Sequence, residues 1–232
     1  MRKVQEDFGK LWDLNPVWNK LTIAEREYID RFVEVKRYRK NEVIHSEGDC
    51  TTHVVMVLQG TVRLTKEGVG QRLQIIRLLK PYDTFGYRSA IAGECHSSCA
   101  TTLEATVVYR VEREAFLSVI QQNIHFCYGV LVAMSRDLAI SESQTVNLTQ
   151  KHIRGRLAET LLTLKQTYGF DGDGVTIAMY MAREDLANMS NMTTSNAIRT
   201  LSQFASENLI AVDGRKIKLL NESELTRISR LG

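Results

Sequence analysis

The sequence predicts an α+β protein in three successive parts: a strand-rich front half, one long helix, and a small tail of two crossing helices followed by a β-hairpin. Three observations carry that expectation. Short runs of β-branched residues separated by turn residues fill residues 33–111, the texture of a half-buried sheet. From Glu114 to Tyr168 the chain contains no proline, so nothing interrupts helix propagation by removing a backbone donor. Near the end, Asp213-Gly214 stands between two apolar-alternating runs, a strong short-range signal for a tight hairpin.

Taken in order, the opening segment sets Trp12, Leu14 and Trp18 among polar residues, and Thr22 precedes Glu25 at capping-box spacing. That pair should start a helix running through Phe32. The strands are expected at Val43-Ile44, Val54–Leu58, Thr61–Leu64, Gln74–Leu78 and Thr106–Val111. Turns fall at Glu47-Gly48-Asp49, Gln59-Gly60, Glu67–Gly70 and Lys80–Asp83, where glycine and aspartate supply the required backbone conformations. Many short strands so spaced mean a sandwich, roll or barrel.

In the helical stretch, Leu131, Met134, Leu138, Ser141, Thr145, Leu148 and His152 recur at alternating spacings of three and four. That is the seam of a two-stranded coiled coil, and it favours pairing of two copies of the chain. The same stripe could instead pack on the protein's own strands. Polar Ser141 and Thr145 weaken the seam.

In the tail, Arg183–Ser190 reads as a helix, Asn191-Met192 as a turn, and Thr193 as the cap of a second helix,. Asn191 suits a left-handed turn position, where asparagine is the best substitute for glycine. Ala187 is small enough for the helices to cross closely, and Leu186, Met189, Met192, Ala197 and Leu201 form the expected knot between them. With the hairpin of Asn208–Val212 and Arg215–Leu220 behind it, this is a winged helix-turn-helix. Thr194, Ser195, Asn196 and Arg199 then face outward. Arg199 can donate two bonds to guanine, Asn196 can bridge adenine, and the hydroxyls can reach phosphates or base edges. Arg183, Thr193, Arg215 and Lys216 complete the candidate contacts to double-stranded DNA, the last two on a wing placed against phosphate. A polar helix stripe alone also describes an ordinary solvated face; its combination with turn, wing and basic Arg215-Lys216-Ile217-Lys218 favours DNA.

Composition bounds the rest. The 232 residues are 44% hydrophobic and 25% charged, which fits a folded chain of two domains. A net charge of +3 tolerates a polyanionic partner without identifying one. There is no run of about eighteen apolar residues, and Met1–Asp7 lacks the apolar stretch of a secretory signal, so a cytoplasmic location with no membrane partner is expected. Cys50, Cys95, Cys99 and Cys127 form no CxxC pair and are expected to be reduced and buried. His45, His53, His96, His125 and His152 do not cluster, so neither a cupin-like metal enzyme nor any metal site is assigned. No Ser-His-Asp, Walker or Rossmann pattern offers an enzyme.

The order of parts resembles the Crp/Fnr superfamily, that of the cyclic-AMP receptor protein and the fumarate-nitrate regulator. The resemblance rests on Lys40–Ile44 with Glu47-Gly48-Asp49, on Met56–Leu64, on Arg183–Ala187 and on Thr193–Arg199. It implies an N-terminal double-stranded β-roll of the cyclic-nucleotide-binding jelly-roll type, a dimerisation helix at about 123–148, and domains at 1–148 and 149–232. It further implies a homodimer on a pseudo-palindromic site, reading helices about 34 Å apart, contact with RNA polymerase, and a hinge at Asn147–Gln150. Arg199 matches the family's base-reading arginine.

Departures from the family matter as much. Cyclic-nucleotide binders carry Gly-Glu-Leu and Arg-Ser-Ala, the glutamate for the ribose and the arginine for the phosphate. The matching positions here read Gly86-Tyr87-Arg88 and His96-Ser97-Ser98. An imidazole does not replace a bidentate guanidinium, which argues against cyclic AMP and leaves another anion or small effector open. Gly86, Tyr87, Arg88, Ser89, His96, Ser97 and Ser98 are the expected lining, with Asp137, Ser141 and Glu142 approaching from the long helix and Arg88 either solvated or paired with Glu94. No cysteine precedes Cys50, which disfavours the family's iron-sulfur branch, and no histidine is assigned to haem. Ser195 stands where many relatives have glutamate, so a different half-site is expected. Ala182 lacks a capping hydroxyl, at a cost of about 1 kcal/mol, while Ser190 and Thr200 occupy apolar positions. The competing reading is an effector- or nucleotide-binding interaction module without DNA binding; it leaves the wing unexplained.

Overall fold

The computed structural model describes Trp12 and residues 14–231; the expectation for Met1–Asp7 lies outside them. At the entry, Thr22 N donates to Glu25 Oε2 at 2.8 Å and Glu25 N to Thr22 Oγ1 at 3.3 Å. This capping box starts α1 (Ile23–Ile29), which tightens into a 3-10 turn over Asp30–Phe32. The helical run thus reaches Phe32 by two geometries.

Two four-stranded sheets make the roll. One has the order β1 (Val33–Tyr38), β8 (Thr106–Glu112), β3 (His53–Gln59), β6 (Thr84–Phe85). The other has the order β2 (Val43–His45), β7 (Cys99–Thr102), β4 (Val62–Glu67), β5 (Leu73–Leu79). Val33 stands opposite Val111, Val55 opposite Arg110, and Val62 opposite Thr102, all antiparallel.

The unbroken apolar run of β3 has a simple cause. Val54 and Met56 enter one core with Trp18, Tyr109, Phe116 and Phe126, while Val55 and Val57 enter a second with Val62, Leu79, Phe85 and Val108. The two-residue strand period sends successive side chains to opposite faces, and both faces are covered. Gly60 turns β3 into β4 at φ 88°; a Cβ there would lie 2.6 Å from Thr106 Oγ1 and 2.7 Å from Ala105 O.

The helical stretch is broken twice. Asn123 leaves helical geometry between α3 (Arg113–Gln122) and α4 (Ile124–Gln150), its Oδ1 accepting from Phe126 N at 2.9 Å. The second break falls at Lys151–His152, before α5 (Ile153–Tyr168). Asn147–Gln150, expected as a hinge, is therefore helical, and His152 stands at the N-cap position of α5, without a side-chain capping bond, instead of extending the seam. Within the seam, Met134 packs against the first core, whereas Leu131 and Leu138 are exposed at 55% and 61%.

The chain divides into two compact units: residues up to Glu67 with Ile75–Ala139, and Gly68–Gln74 with Ile140 onward. Beyond α5 the second unit contains α6 (Arg183–Met189), α7 (Thr194–Ser206), the hairpin β9 (Ile210–Asp213) and β10 (Lys216–Leu219), and α8 (Glu222–Leu231). Leu157, Leu161 and Leu164 of α5, Leu186 of α6, Leu201 and Phe204 of α7, and Leu225 of α8 are buried. No single helix among the described residues is long and apolar enough to cross a membrane. The expectation of buried thiols fails for Cys50 and Cys95, which are exposed on loops, while Cys99 and Cys127 are half-buried.

Candidate nucleic-acid interface and sensor site

The tail assembles from its turn. Asn191 takes φ 48°, and Met192 N donates to Ala187 O at 3.0 Å, closing the two helices over a buried Ala187. Thr193 Oγ1 accepts from Asn196 N at 3.2 Å, supplying the cap that α7 requires. Ala197, Thr200, Leu201 and Phe204 point inward; Thr194, Ser195 and Arg199 are exposed and Asn196 half-buried. Among the described residues none pairs with Arg199, which leaves its five donors open. The expected knot is observed except that Met189 is half-buried.

Several side chains unremarked in the sequence fix this geometry. Arg156 donates to the turn carbonyl of Asn191 at 3.1 Å and to Leu148 O at 3.2 Å. Arg154 grips Glu207, just past the end of α7, with two bonds of 2.8 and 2.7 Å and lies over the Phe204 ring at 5.0 Å. Ser190, a polar residue at an apolar position, has its own partners. The Ser190 and Thr160 hydroxyls lie 2.9 Å apart; one donates to the other, which in turn donates to its own helix carbonyl, Leu186 O for Ser190 or Arg156 O for Thr160,. Ala182 makes no capping bond.

On the wing, the register Asp213 to Lys216 leaves Gly214-Arg215 as the two-residue loop, with Gly214 at φ 55°. Arg215 and Lys216 are exposed, and Lys216 Nζ sits 5.6 Å from the Tyr180 ring centroid. Arg183 departs from the outward contact expected of it. Its Nη2 donates to Gly214 O at 2.6 Å, joining α6 to the wing tip, its Nη1 is buried and unpartnered, and burial lowers its pKa.

In the first unit, Gly86 leads into a short helix, α2 (Tyr87–Ala92), at φ 84°. A Cβ there would approach His53 O at 3.2 Å. Tyr87 is buried, and its hydroxyl donates to Asp137 of α4. Arg77, on β5, donates to the same Asp137 oxygen at 2.6 Å; no sequence signal marks this residue, since an arginine on a strand normally faces solvent. Burial opposes the Arg77 charge, but Asp137 and Tyr87 outweigh it and hold its pKa above the ordinary value. Burial first, and then the Asp137 bond, push Tyr87 up to about 12.

The other expected lining residues divide. Arg88 is exposed, bonded to Ser97 Oγ and 3.7 Å from Glu94. Ser89 and Ser98 are buried. His96 is buried and stacked flat on His45 of β2, centroids 3.6 Å apart and 7° between planes. Ser141 and Glu142 are exposed on α4, in the second unit. Among the described residues, neither a ribose carboxylate nor an unengaged phosphate-binding guanidinium is brought together here: Tyr87 is engaged by Asp137 and Arg88 by Glu94 and Ser97.

Two predictions arise at this site. Asp137→Asn is expected to destabilise the fold by about 1–3 kcal/mol, because it leaves a half-buried Arg77 cation without its carboxylate. Urea unfolding measures this, and a loss below about 0.5 kcal/mol, the range of ordinary surface changes, would show that the pair carries no structural weight. The second concerns acid. Burial, then the neighbouring His96, lower His45 to about 4 from the ordinary value of 6.5. Between those values the unfolded chain binds a proton that the folded chain refuses, so stability is present above about 6.5 and lost as pH falls toward about 4. The full shift corresponds to about 3 kcal/mol; partial exposure reduces it to about 1–2 kcal/mol. His45→Phe keeps the ring and should flatten the acid limb of stability against pH; an unchanged slope assigns the acid loss elsewhere.

Similarity to known proteins follows the same two parts. Residues 35–123 match the family described as cyclic nucleotide-binding domain, and residues 155–228 match the Crp-like helix-turn-helix domain. The chain is 21% identical over 194 residues to the CRP-like cAMP-activated global transcriptional regulator of Mycobacterium tuberculosis, covering 83% of this chain and 87% of that one. It is 24% identical over 214 residues to the fumarate and nitrate reduction regulatory protein of Vibrio cholerae, covering 90% and 84%. The solved structure of FixK2 from Bradyrhizobium japonicum superposes with a TM-score of 0.76 at 26% identity, covering 84% of this chain and 96% of that one. These relatives are transcription regulators, not enzymes. With a cyclic-nucleotide-binding-type β-roll followed by a Crp-like helix-turn-helix over most of its length, the chain belongs to the Crp/Fnr family of DNA-binding transcription regulators.

Proposed function

We propose that the protein binds a two-fold symmetric DNA site as a homodimer joined along α4, under control of an effector other than cyclic AMP held near α2. Thr194, Ser195, Asn196 and Arg199 read bases, while Thr193, Arg215 and Lys216 hold phosphates. The observation that carries this reading is the outward polar face of α7, capped by Thr193 and presenting the exposed guanidinium of Arg199. The second copy is favoured as the occupant of the α4 face because Leu131 and Leu138 stay exposed one heptad apart,. Cyclic AMP is disfavoured by the occupied state of Tyr87 and Arg88. The sensor and dimerisation part is assigned to residues 1–148 and the reader to residues 149–232. RNA polymerase as partner and the cytoplasm as compartment are proposed from the family.

Selection of bound duplexes from a randomised pool tests the reading. The enriched motif should be two-fold symmetric, with half-sites about 10 base pairs apart centre to centre, and binding should weaken steeply with salt. A pool that yields no motif overturns the reading; calorimetry should register no heat with cyclic AMP.

A further inference from the structure

Cys50 and Cys95 take no part in the sites described so far. They stand opposite each other in an isolated antiparallel bridge, and both thiols are free and exposed. His96 N, just after Cys95, donates to Asp49 O, just before Cys50, at 2.9 Å. This marks the narrow kind of pair, whose two residues exchange no backbone bonds between themselves. In such pairs the Cα atoms lie about 4.5 Å apart with side chains on one face, inside the roughly 4.4–6.8 Å that a disulfide spans. Two further bonds pin the segments: Gly48 N to His96 O at 2.8 Å and Thr51 Oγ1 to Glu94 O at 2.9 Å.

We propose that Cys50 and Cys95 form a redox modification site, a dithiol that a hydroperoxide closes to a cross-strand disulfide and that a thiol reductant reopens. One sulfur attacks the peroxide O–O bond, becoming a sulfenic acid and releasing water or an alcohol. The second sulfur displaces the sulfenic hydroxyl, which leaves as water with the second thiol's proton. Two thiols thus lose two electrons to the peroxide, and one S–S bond forms.

A hydrogen bond to Cys50 raises the Cys95 pKa, and either sulfur can attack first. Cys99 contacts Thr101 Oγ1 at 3.6 Å and Cys127 lies on α4; neither faces another thiol across a strand pair. The bridge would act as a latch on residues 93–98, which contain Glu94 and Ser97, both partners of Arg88. Any consequence for the effector rests on the sensor reading above; the chemistry does not.

Peptide mass spectrometry after hydrogen peroxide treatment and alkylation of the full chain tests the site. A linked Cys50–Cys95 peptide is expected, reopened by dithiothreitol, absent in Cys50→Ser and in Cys95→Ser, and retained in Cys99→Ser and Cys127→Ser. If both thiols alkylate as fully after peroxide as before, or if the link runs between chains or to Cys99, the site is overturned. Amide exchange across residues 93–98 should slow on oxidation of the parent and stay unchanged in Cys50→Ser; equal exchange in both removes the latch. Neither readout involves DNA, so failure here leaves the regulator reading standing.

Discussion

Arg199→Ala is expected to weaken specific DNA binding by about 1–3 kcal/mol at each half-site and to relax selectivity at one base pair. The size follows from what is removed. A guanidinium fork that meets guanine with two parallel bonds loses both at once, and no neighbour on α7 can replace them, since Asn196 and Ser195 are too short. The fold should not notice. Arg199 is exposed, and α7 is held from its other face by Ala197, Leu201 and Phe204 and beyond its C-terminus by the Arg154–Glu207 pair. Thermal unfolding should therefore match that of the parent chain. Arg215→Ala is the contrasting case: without a phosphate-binding cation at the wing tip, affinity drops alike for all sequences and the salt slope falls by about one. If Arg199→Ala loses as much on random DNA as on the selected site, the base-reading assignment falls.

The parts of this protein that were legible in the sequence are those whose cause is local. The capping box at Thr22, the left-handed Asn191, the Thr193 cap and the Gly214 turn each depend on a few neighbouring residues, and each sits where its chemistry demands. β3 was visible because both its faces are buried. β1 was not: Val33-Glu34-Val35-Lys36-Arg37-Tyr38 is an edge strand with four exposed residues, so its charges hide the alternation. β7, built from cysteine, alanine and two threonines, and the six-residue α2 were too short to show a period. The break at Lys151–His152 contains neither glycine nor proline, and nothing in that dipeptide announces it.

The candidate sites divide the same way. The reader was legible as a motif because its residues are contiguous on α7. The Arg77–Asp137–Tyr87 cluster joins residues 60 and 50 positions apart, so no spacing could reveal it. The Cys50–Cys95 pairing depends on the register of two loops and was invisible for that reason.

Placing a charge on the α4 seam is expected to have the largest effect of all. The double substitution Leu131→Glu with Leu138→Glu should convert a dimer to a monomer and reduce specific DNA affinity at least about 100-fold. Two carboxylates per chain would face their own symmetry mates across a closing apolar interface, where like charges meeting without water cost several kcal/mol. Losing the dimer then removes the effective concentration that makes the second half-site contact intramolecular, worth about 100- to 10,000-fold. The monomer itself should remain folded, because the two leucines are 55% and 61% exposed in the single chain. Two controls separate the interface from general damage. Met134→Ala, one seam position away but packed on the chain's own core, should lower unfolding stability, whereas Ile140→Glu, exposed at 51% but off the seam, should leave both mass and affinity unchanged. Sedimentation at several concentrations decides the matter: a double variant that sediments as the parent does removes α4 as the dimer interface, and with it the reason for expecting a symmetric DNA site.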